Sequence, residues 1–207
     1  MHDAPPLNDD PPDAALLADV AAGAARAEAA FIALYRRRRD DVYRFAFAMA
    51  KSRAFAQDVT QEVFLNLLEN AARFDAAKGS VRAWLIGCAR YAVLDRLRSE
   101  RRWTDDVPDE GTACENEHRV LVQQRLARLH AAIARLPVEY REALVLCELQ
   151  ELSYAESAAV LECPVGTVRS RLHRARALLT AMLRESERAP DAPSAPSGAL
   201  SASEVCS

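Results

Sequence analysis

The sequence has little glycine and few aromatic residues: of its 207 residues, six are glycine and 6% are aromatic. This scarcity, together with an abundance of Ala, Leu, Arg and Glu, favours an all-α protein. No apolar run approaches the roughly 20 residues of a membrane-spanning helix. The first residues, MHDAPPLNDDPPDAALL, lack the basic start and the apolar segment of a secretion signal. We therefore expect no membrane insertion and a cytoplasmic location.

The cysteine pattern gives no sign of a metal centre. Five cysteines are scattered along the chain, none forms a C-x-x-C pair, and no histidine lies at metal-ligand spacing from them. We expect reduced thiols, with Cys88 and Cys147 as small core residues; a redox-sensing role for Cys163 or Cys206 is the alternative. The sequence also offers no nucleophile–base set and no phosphate-binding loop. The expectation is a protein that is not an enzyme and needs no metal or cofactor.

Basic residues are absent from two segments and concentrated in two others. Residues 1–20 contain five Asp and residues 103–118 contain six acidic residues, with no Lys or Arg in either. Residues 82–102 contain six Arg against Asp95 and Glu100, and residues 164–184 contain five Arg and no acidic residue. The formal net charge of -3 therefore hides two basic surfaces separated by an acidic connector.

Apolar periodicity and composition divide the chain into two helical domains. Residues 1–13, an acidic N-terminus, and residues 189–207, a tail of Pro, Ala and Ser, are predicted to be disordered. Residues 14–102 form the first domain and residues 119–188 the second. Residues 103–118 form a flexible linker. The predicted fold class is all-α: two small helical domains joined by a flexible acidic linker, the second containing a helix-turn-helix.

Helical spacing in the first domain predicts which residues face its core. These are Phe31, Ile32, Tyr35, Val42, Phe45, Ala46, Met49, Val59, Val63 and Leu67. In the helix predicted over residues 81–102, the apolar stripe consists of Trp84, Leu85, Cys88 and Ala92. The run YRRRRD, Tyr35 to Asp40, is predicted to be a solvated helix end.

The second domain carries the pattern of a helix-turn-helix. Ser153 and Glu156 form a capping box that starts one helix, and Pro164 permits the next helix while ending the first. Val168, Leu172, Ala175 and Leu179 share the inward face of the second helix. The opposite face and its flanks carry Thr167, Ser170, Arg171 and Arg174, then Arg169, His173 and Arg176. Such a face suits the major groove, where arginine pairs with guanine edges; an ordinary solvated basic helix is the alternative.

Three motifs in one order resemble a known family. They are AQDVTQEVFLNLL, then FDAAKGSVRAWLIGCARYAVLDRLRSERR, then IARLPVEYREALVL with LSYAESAAVLECPVGTVRSRLHRARALL. Together they are similar to the extracytoplasmic-function (ECF) group of bacterial sigma-70-type RNA polymerase sigma factors, over about residues 25–185. The resemblance implies core RNA polymerase and promoter DNA as partners, and it leaves an anti-sigma factor open as a further partner.

The resemblance also implies which residues bind what. Core polymerase docking falls to Asp58, Gln61, Glu62, Leu65 and Asn66. The unpaired minus-ten element falls to Phe74, Arg82, Arg90, Tyr91, Arg98, Arg101 and Arg102, with Arg96 a further arginine for its phosphates. The minus-thirty-five element falls to Thr167, Arg169, Ser170, Arg171, Arg174 and Arg176. Tyr91 stands where the family commonly has Asn, which puts the base preference of the minus-ten pocket in question.

Two other functions remain open from the residues themselves. One is a stand-alone helix-turn-helix regulator that binds its site without polymerase and has an N-terminal sensor domain. The other is an adaptor that only sequesters a protein partner. The arginines of residues 82–102 would have no purpose in a stand-alone regulator.

Overall fold

The structure is a computed structural model that describes residues 12–23, 25–100 and 117–188. Within these ranges the only regular elements are helices. The eight α-helices of the described residues are α1 Asp13–Ala21, α2 Ala27–Ala50, α3 Arg53–Asn70, α4 Val81–Glu100, α5 Glu117–Arg135, α6 Val138–Leu144, α7 Tyr154–Leu161 and α8 Val165–Arg188. The all-α prediction is confirmed. The predictions of a disordered N-terminus up to residue 11, of a linker over residues 103–116 and of a disordered tail concern residues outside the described ranges.

The first half of the molecule, α1 to α4, is held by an apolar core contributed by all four helices. Val42, Phe45 and Ala46 of α2 are fully buried against α3 and α4. Between α2 and α3 the chain turns at Lys51, which has a left-handed φ of 58°. Ser52 then caps α3 by accepting a hydrogen bond from the backbone N–H of Phe55 at 3.2 Å. The predicted inward faces of α2 and α3 are confirmed in the main, although Ile32 is 39% exposed.

The arginine run of α2 is not a helix end, and that prediction was wrong. Helix α2 continues without a break from Ala27 to Ala50, so the run lies in its middle. Arg37 and Arg38 both pair with Asp13 of α1, and Arg38 also pairs with Asp41 at 3.2 Å. The end of a helix was predicted because the four arginines include no apolar residue. Long arginine side chains can, however, cover the contact between two helices with their apolar stems while their charged groups reach carboxylates.

The buried stripe of α4 differs from the predicted one. Leu85 is buried as expected, but Trp84, Cys88 and Ala92 are only partly buried. The residues fully inside are Ile86, Ala89 and Val93. Helix α4 packs against α2 and α3 on one side and against α7 on another. The predicted apolar stripe of α4 therefore lies at the boundary between its contact with α2 and α3 and its contact with α7.

The second half, α5 to α8, contains the predicted helix-turn-helix. The Ser153 hydroxyl accepts from the backbone N–H of Glu156, whose carboxylate in turn accepts from the backbone N–H of Ser153. Helix α7 ends at Leu161, and the next residue, Glu162, caps it with a left-handed φ of 52°. In α8, Val168, Leu172 and Ala175 are buried and Leu179 is partly buried, as the spacing predicts. A π-helical turn, Val145–Leu149, follows α6 and was not foreseen.

The two halves pack directly on each other. One continuous apolar cluster includes Phe45 and Ile86 from the first half and Leu146, Val160 and Val168 from the second. Polar contacts reinforce it: the Arg141 guanidinium of α6 donates to the backbone carbonyl of Met49 at 2.7 Å. That carbonyl is among the last of α2, which have no partner within their own helix.

Candidate polymerase and nucleic-acid interfaces

The predicted docking residues form one exposed surface on α3. Burial of Val59, Val63 and Leu67 turns the opposite side of the helix to solvent. Leu65 on that side is 64% exposed, which is unusual for a large apolar side chain. The surface is a shallow depression lined by Asp58, Gln61, Glu62, Leu65, Asn66, Glu69 and Arg96. The structure thus brings together all five predicted docking residues.

Arg96 of α4 also lines this surface. Its guanidinium pairs with Glu62 at 2.7 Å and with Asp58 at 3.5 Å. It also lies over the Phe55 ring, 5.8 Å from the ring centroid. A cation between two carboxylates reduces their mutual repulsion, and the aromatic contact fixes its position. Arg96 therefore joins α3 to α4.

A second surface surrounds an aromatic cavity at the start of α4. The Phe74 and Trp84 rings meet edge-on, 5.8 Å between centroids. Together with Cys88 and Tyr91 they line a cavity of 510 Å³, and Gly79, with its positive φ of 147°, shapes the rim. Aromatic walls of this kind can stack on unpaired bases. Trp84 was predicted to be core but takes part in this cavity.

Two arginines predicted to bind the minus-ten strand are engaged within the protein. Arg90, 14% exposed, pairs with Glu142 of α6, 4% exposed, at 2.6 Å. Arg82 pairs with Asp41 of α2 at 3.2 Å and donates to the side-chain oxygen of Gln150 at 3.3 Å. Gln150 has no exposed surface and also donates to the Asp41 carbonyl at 3.2 Å. These contacts join the two halves.

The remaining predicted minus-ten residues are more exposed. Tyr91 is 54% exposed, and its hydroxyl donates to the Glu162 carboxylate, which raises the pKa of the phenol. Arg90 lies over its ring, 5.7 Å from the centroid. Arg98 is exposed on the last turn of α4. Arg101 and Arg102 lie outside the described residues.

The acidic partners of this surface were not found from the sequence. They are Glu142, Glu156 and Glu162, all contributed by the second half. Of these three residues, only Glu142 has a sequence context that suggests burial, because it directly precedes the apolar run ALVL. In the structure Glu142 is buried. A buried carboxylate needs a paired cation. The sequence could have indicated that such a partner exists, but not that it is Arg90.

The third surface is the outward face of α8. Arg169, Ser170, Arg174 and Arg176 are exposed, whereas Thr167 and Arg171 are partly exposed. Arg169 lies over the Tyr154 ring, 5.6 Å from its centroid. Arg176 pairs with Glu148, and Arg174 reaches the Tyr140 hydroxyl at 3.5 Å. The predicted recognition residues therefore share one helix, and most are open to solvent.

The described cysteines, Cys88, Cys147 and Cys163, are free thiols. Among the residues that the structure describes, no group of three or more His, Cys, Asp or Glu residues could hold a metal ion. Burial raises the pKa of the Cys88 thiol to about 11, so this thiol stays protonated at neutral pH. In the same described ranges, no helix has both the length and the apolar character needed to cross a membrane.

These features define a DNA-binding transcription protein of the helix-turn-helix class. The fold is all-helical, basic residues lie beside an aromatic cavity, and a second basic helix is exposed. Comparison with known families narrows this class. Residues 34–103 match the model "Sigma-70 region 2" and residues 126–179 match "Sigma-70, region 4". The chain belongs to the ECF group of sigma-70-type sigma factors. It directs core RNA polymerase to specific promoters and initiates transcription there.

Individual relatives agree with this assignment. The ECF RNA polymerase sigma factor SigC of Mycobacterium tuberculosis (strain CDC 1551 / Oshkosh) is 40% identical over 177 residues, which are 84% of this chain and 92% of the relative. The structure of CnrH in complex with the cytosolic domain of CnrY superposes with a TM-score of 0.65 at 27% identity, covering 84% of this chain and 97% of that one. Sigma factor RpoE in complex with the anti-sigma factor NepR, from Bartonella quintana, gives a TM-score of 0.59 at 25% identity, covering 70% and 91%.

Proposed function

We propose that this sigma factor divides its work among the three surfaces described above. The exposed α3 face, Asp58 to Asn66, docks on core polymerase. The cavity of Phe74, Trp84 and Tyr91 receives an unpaired minus-ten base, while Arg82, Arg90, Arg98, Arg101 and Arg102 hold the phosphates of that strand. The outward face of α8 reads the minus-thirty-five element as duplex. The observation that carries the proposal is that these three chemically different surfaces lie on three different helices.

The chemistry of each surface fits its proposed partner. An exposed apolar side chain with polar groups around it, as Leu65 and Glu62 provide, suits a protein partner, because such interfaces have an apolar centre and a polar rim. An unpaired strand needs aromatic rings for its bases and cations for its phosphates. Duplex DNA needs a helix of the right width for the major groove with donors along one face. None of the three surfaces could replace another.

We further propose the domain division that follows from these surfaces. Residues 14–102 act as the docking and minus-ten domain, residues 119–188 as the minus-thirty-five domain, and residues 103–118 as the linker between them. The matches at residues 34–103 and 126–179 support this division. The protein acts in the cytoplasm, where its polymerase is, and catalyses no reaction of its own. An anti-sigma factor, as found bound to RpoE, is a further proposed partner.

In vitro transcription tests the proposal. The chain is added to core polymerase on a library of promoter fragments, and transcripts are sequenced. We expect initiation from a defined subset that shares a minus-thirty-five and a minus-ten element, and none without the chain. Tight sequence-specific duplex binding by the chain alone at physiological salt, without stimulated transcription, would favour the stand-alone regulator instead.

A further inference from the structure

A second cavity lies on the other side of the loop that borders the aromatic cavity. It has a volume of 500 Å³ and is formed where α1, α2 and the start of α4 meet. Phe74, Gly79 and Ser80 line both cavities, so residues 74–80 form the wall between them. A strand that places a base in the aromatic cavity can therefore continue directly over this wall into the second cavity.

The charged side chains of the second cavity have an excess of positive charge. Among its lining residues in the described ranges, Arg37 and Arg38 of α2 are cations and Asp13 of α1 is the only carboxylate. Asp13 pairs with both arginines, yet the arginine side chains remain 24% and 29% exposed. An arginine has more N–H groups than one carboxylate accepts from. The cavity can therefore take up a further anion.

Asp41 connects this cavity to Arg82, one of the arginines proposed above for the minus-ten strand. Its oxygen Oδ2 lies 3.2 Å from Nη1 of Arg38 and 3.2 Å from Nε of Arg82. Arg44 donates to the other oxygen at 2.7 Å. Asp41 is 6% exposed, so one buried carboxylate gathers three arginines from α2 and α4. Arg38 and Arg82 are thereby neighbours, and adjacent phosphates of one strand can meet both.

The lining of the cavity indicates which part of a strand it suits. A phosphodiester has a negative charge and two free oxygens, which match the planar N–H pairs of arginine. Phe74 is the one aromatic residue among the lining residues, and it is shared with the aromatic cavity. All the lining residues belong to the first half, so the site needs no residue of the helix-turn-helix half.

We infer that the cavity of Arg37 and Arg38 is a phosphate site for the promoter strand, and that it holds a phosphodiester next to the base extruded into the aromatic cavity. The inference rests on the proposed minus-ten role of the aromatic cavity. It extends the path of the strand from α4 across residues 74–80 to α2. Arg36 and Arg39 of the same arginine run are exposed and do not line the cavity.

The first experiment measures strand binding by the holoenzyme reconstituted from core polymerase and the full chain. A fluorescent single-stranded oligonucleotide, with the minus-ten element of a promoter found in the transcription library, is titrated at several salt concentrations. Arg38→Gln should weaken binding about tenfold. It should also reduce the slope of log K against log[salt] by about 0.7, the contribution of one phosphate contact in a single strand. Arg36→Gln makes the same charge change outside the cavity and should alter neither quantity. Equal losses in the two variants would be an effect of net charge and would overturn the inference.

Neutral linkages in the oligonucleotide separate a direct contact from a change in the fold. Each phosphate is replaced in turn by a methylphosphonate, which carries no charge. With the wild-type chain, we expect one linkage beside the extruded base at which this replacement weakens binding about tenfold. In Arg38→Gln, replacement at that linkage alone should cause no further loss, because residues in contact show non-additive effects. If Arg38→Gln keeps the wild-type loss at every linkage, Arg38 does not contact the strand and the inference is wrong.

Two further variants make the result decisive. Arg37→Gln covers the case in which Arg38→Gln unfolds the chain, as a changed circular dichroism spectrum would show, and it should remove the dependence on the same linkage. Tyr91→Ala tests the underlying minus-ten assignment, since Tyr91 is 54% exposed and lines the aromatic cavity but not the second one. If Tyr91→Ala weakens binding while neither arginine variant changes the linkage dependence, only the phosphate site is wrong. If none of the three variants affects strand binding, the minus-ten assignment fails and the inference fails with it.

Discussion

The two arginine-rich helices, α4 and α8, have similar compositions but differ in what their arginines contact. On α4, Arg82, Arg90 and Arg96 each pair with a carboxylate from another helix. On α8, four of the recognition residues are exposed, and Arg176 is the arginine with a carboxylate partner among the described contacts. Positive charge in the sequence is therefore not the same as positive charge available to DNA.

The difference follows from how each helix packs. Helix α4 contacts α2, α3 and α7, so cations on most of its sides meet another element. Burial without a partner would cost several kcal/mol, and acids on the neighbours remove that cost. Helix α8 buries one narrow face, Val168, Leu172 and Ala175. Its other sides stay in water, where an arginine needs no partner.

The largest effect is expected from removing one member of the buried pair on α4. Arg90→Gln leaves Glu142 buried without a cation, which should lower the free energy of unfolding by about 3 kcal/mol. Urea unfolding followed by circular dichroism measures this. Arg98→Gln, on the exposed last turn of the same helix, is the control and should change stability by less than about 0.5 kcal/mol. Equal effects of the two changes would mean that the pair does not hold the halves together.

The next effect concerns α8. Arg174→Ala should cost about 1–3 kcal/mol in discrimination between correct and altered minus-thirty-five elements, because a base-edge contact is lost. Promoter competition with reconstituted holoenzyme measures it. Arg184→Ala, exposed ten residues further along α8, matches the charge change and should not alter discrimination. A uniform loss on all promoters would make Arg174 a phosphate contact.

The contrast between α4 and α8 also explains which features of the structure could be predicted from the sequence. The capping box of Ser153 and Glu156 and the inward face of α8 were correct because both depend on residues within a few positions of each other. The exposed face of α3 could be predicted for the same reason, and its docking role stays a prediction. Local spacing determines which side of an isolated amphipathic helix is free.

Contacts between distant segments could not be predicted in this way. Arg90 and Glu142 are 52 positions apart, and nothing in either local pattern identifies the other. The α2 arginines were misassigned because their partner, Asp13, was placed in a disordered segment. The pairing of Arg96 with Glu62 and Asp58 could not be predicted either, because the sequence does not show that α4 lies beside the carboxylates of α3. Charge pairing across helices requires the tertiary fold.

A smaller effect is expected at the docking face. Glu62→Lys places a cation beside Arg96, and it should weaken association with core polymerase by about 1 kcal/mol, the scale of an exposed charge contact. Co-purification and a binding titration with core measure it. Asp40→Lys, an equal charge reversal at an exposed position of α2, is the control. Unchanged core affinity in the Glu62 variant would remove this face from the docking surface.

Substitutions of Arg96 and Arg98 distinguish polymerase docking from strand binding on α4. Arg96→Ala should reduce core affinity by about 0.5 kcal/mol, because Asp58 and Glu62 lose the cation between them. Arg96→Lys should restore part of this affinity, since charge returns without the planar two-point contact. Arg98→Ala should instead weaken strand capture and leave core affinity unchanged. The opposite result, with Arg96→Ala affecting only the strand, would return Arg96 to the DNA surface.

The smallest effect is a pH dependence at the start of α7, the helix that touches α4 and precedes α8. Burial alone would raise the pKa of Glu156, but hydrogen bonds from Ser153 and from Ser80 outweigh it, so the pKa is lowered from 4.5. A lowered pKa means that the folded chain favours the carboxylate. The resulting stabilisation is complete above pH 4.5 and is lost as the pH falls through the folded pKa.

Glu156→Gln should therefore reduce stability by a few tenths of a kcal/mol at pH 7, since the group is partly solvated, and the difference should shrink as the pH falls below 4.5. Urea midpoints of both proteins between pH 3 and 7 measure this. Ser80→Ala separates the two sources of the effect, because Ser80 belongs to the first half whereas Ser153 is the cap of α7 itself. If Ser80→Ala also flattens the pH dependence, part of it comes from contact between the halves. If the pH dependence persists in Glu156→Gln, it must come from another carboxylate, such as Asp41. Burial alone would raise the pKa of Asp41, but the hydrogen bond from Arg44 and the charge of Arg82 outweigh it, so this pKa is also lowered.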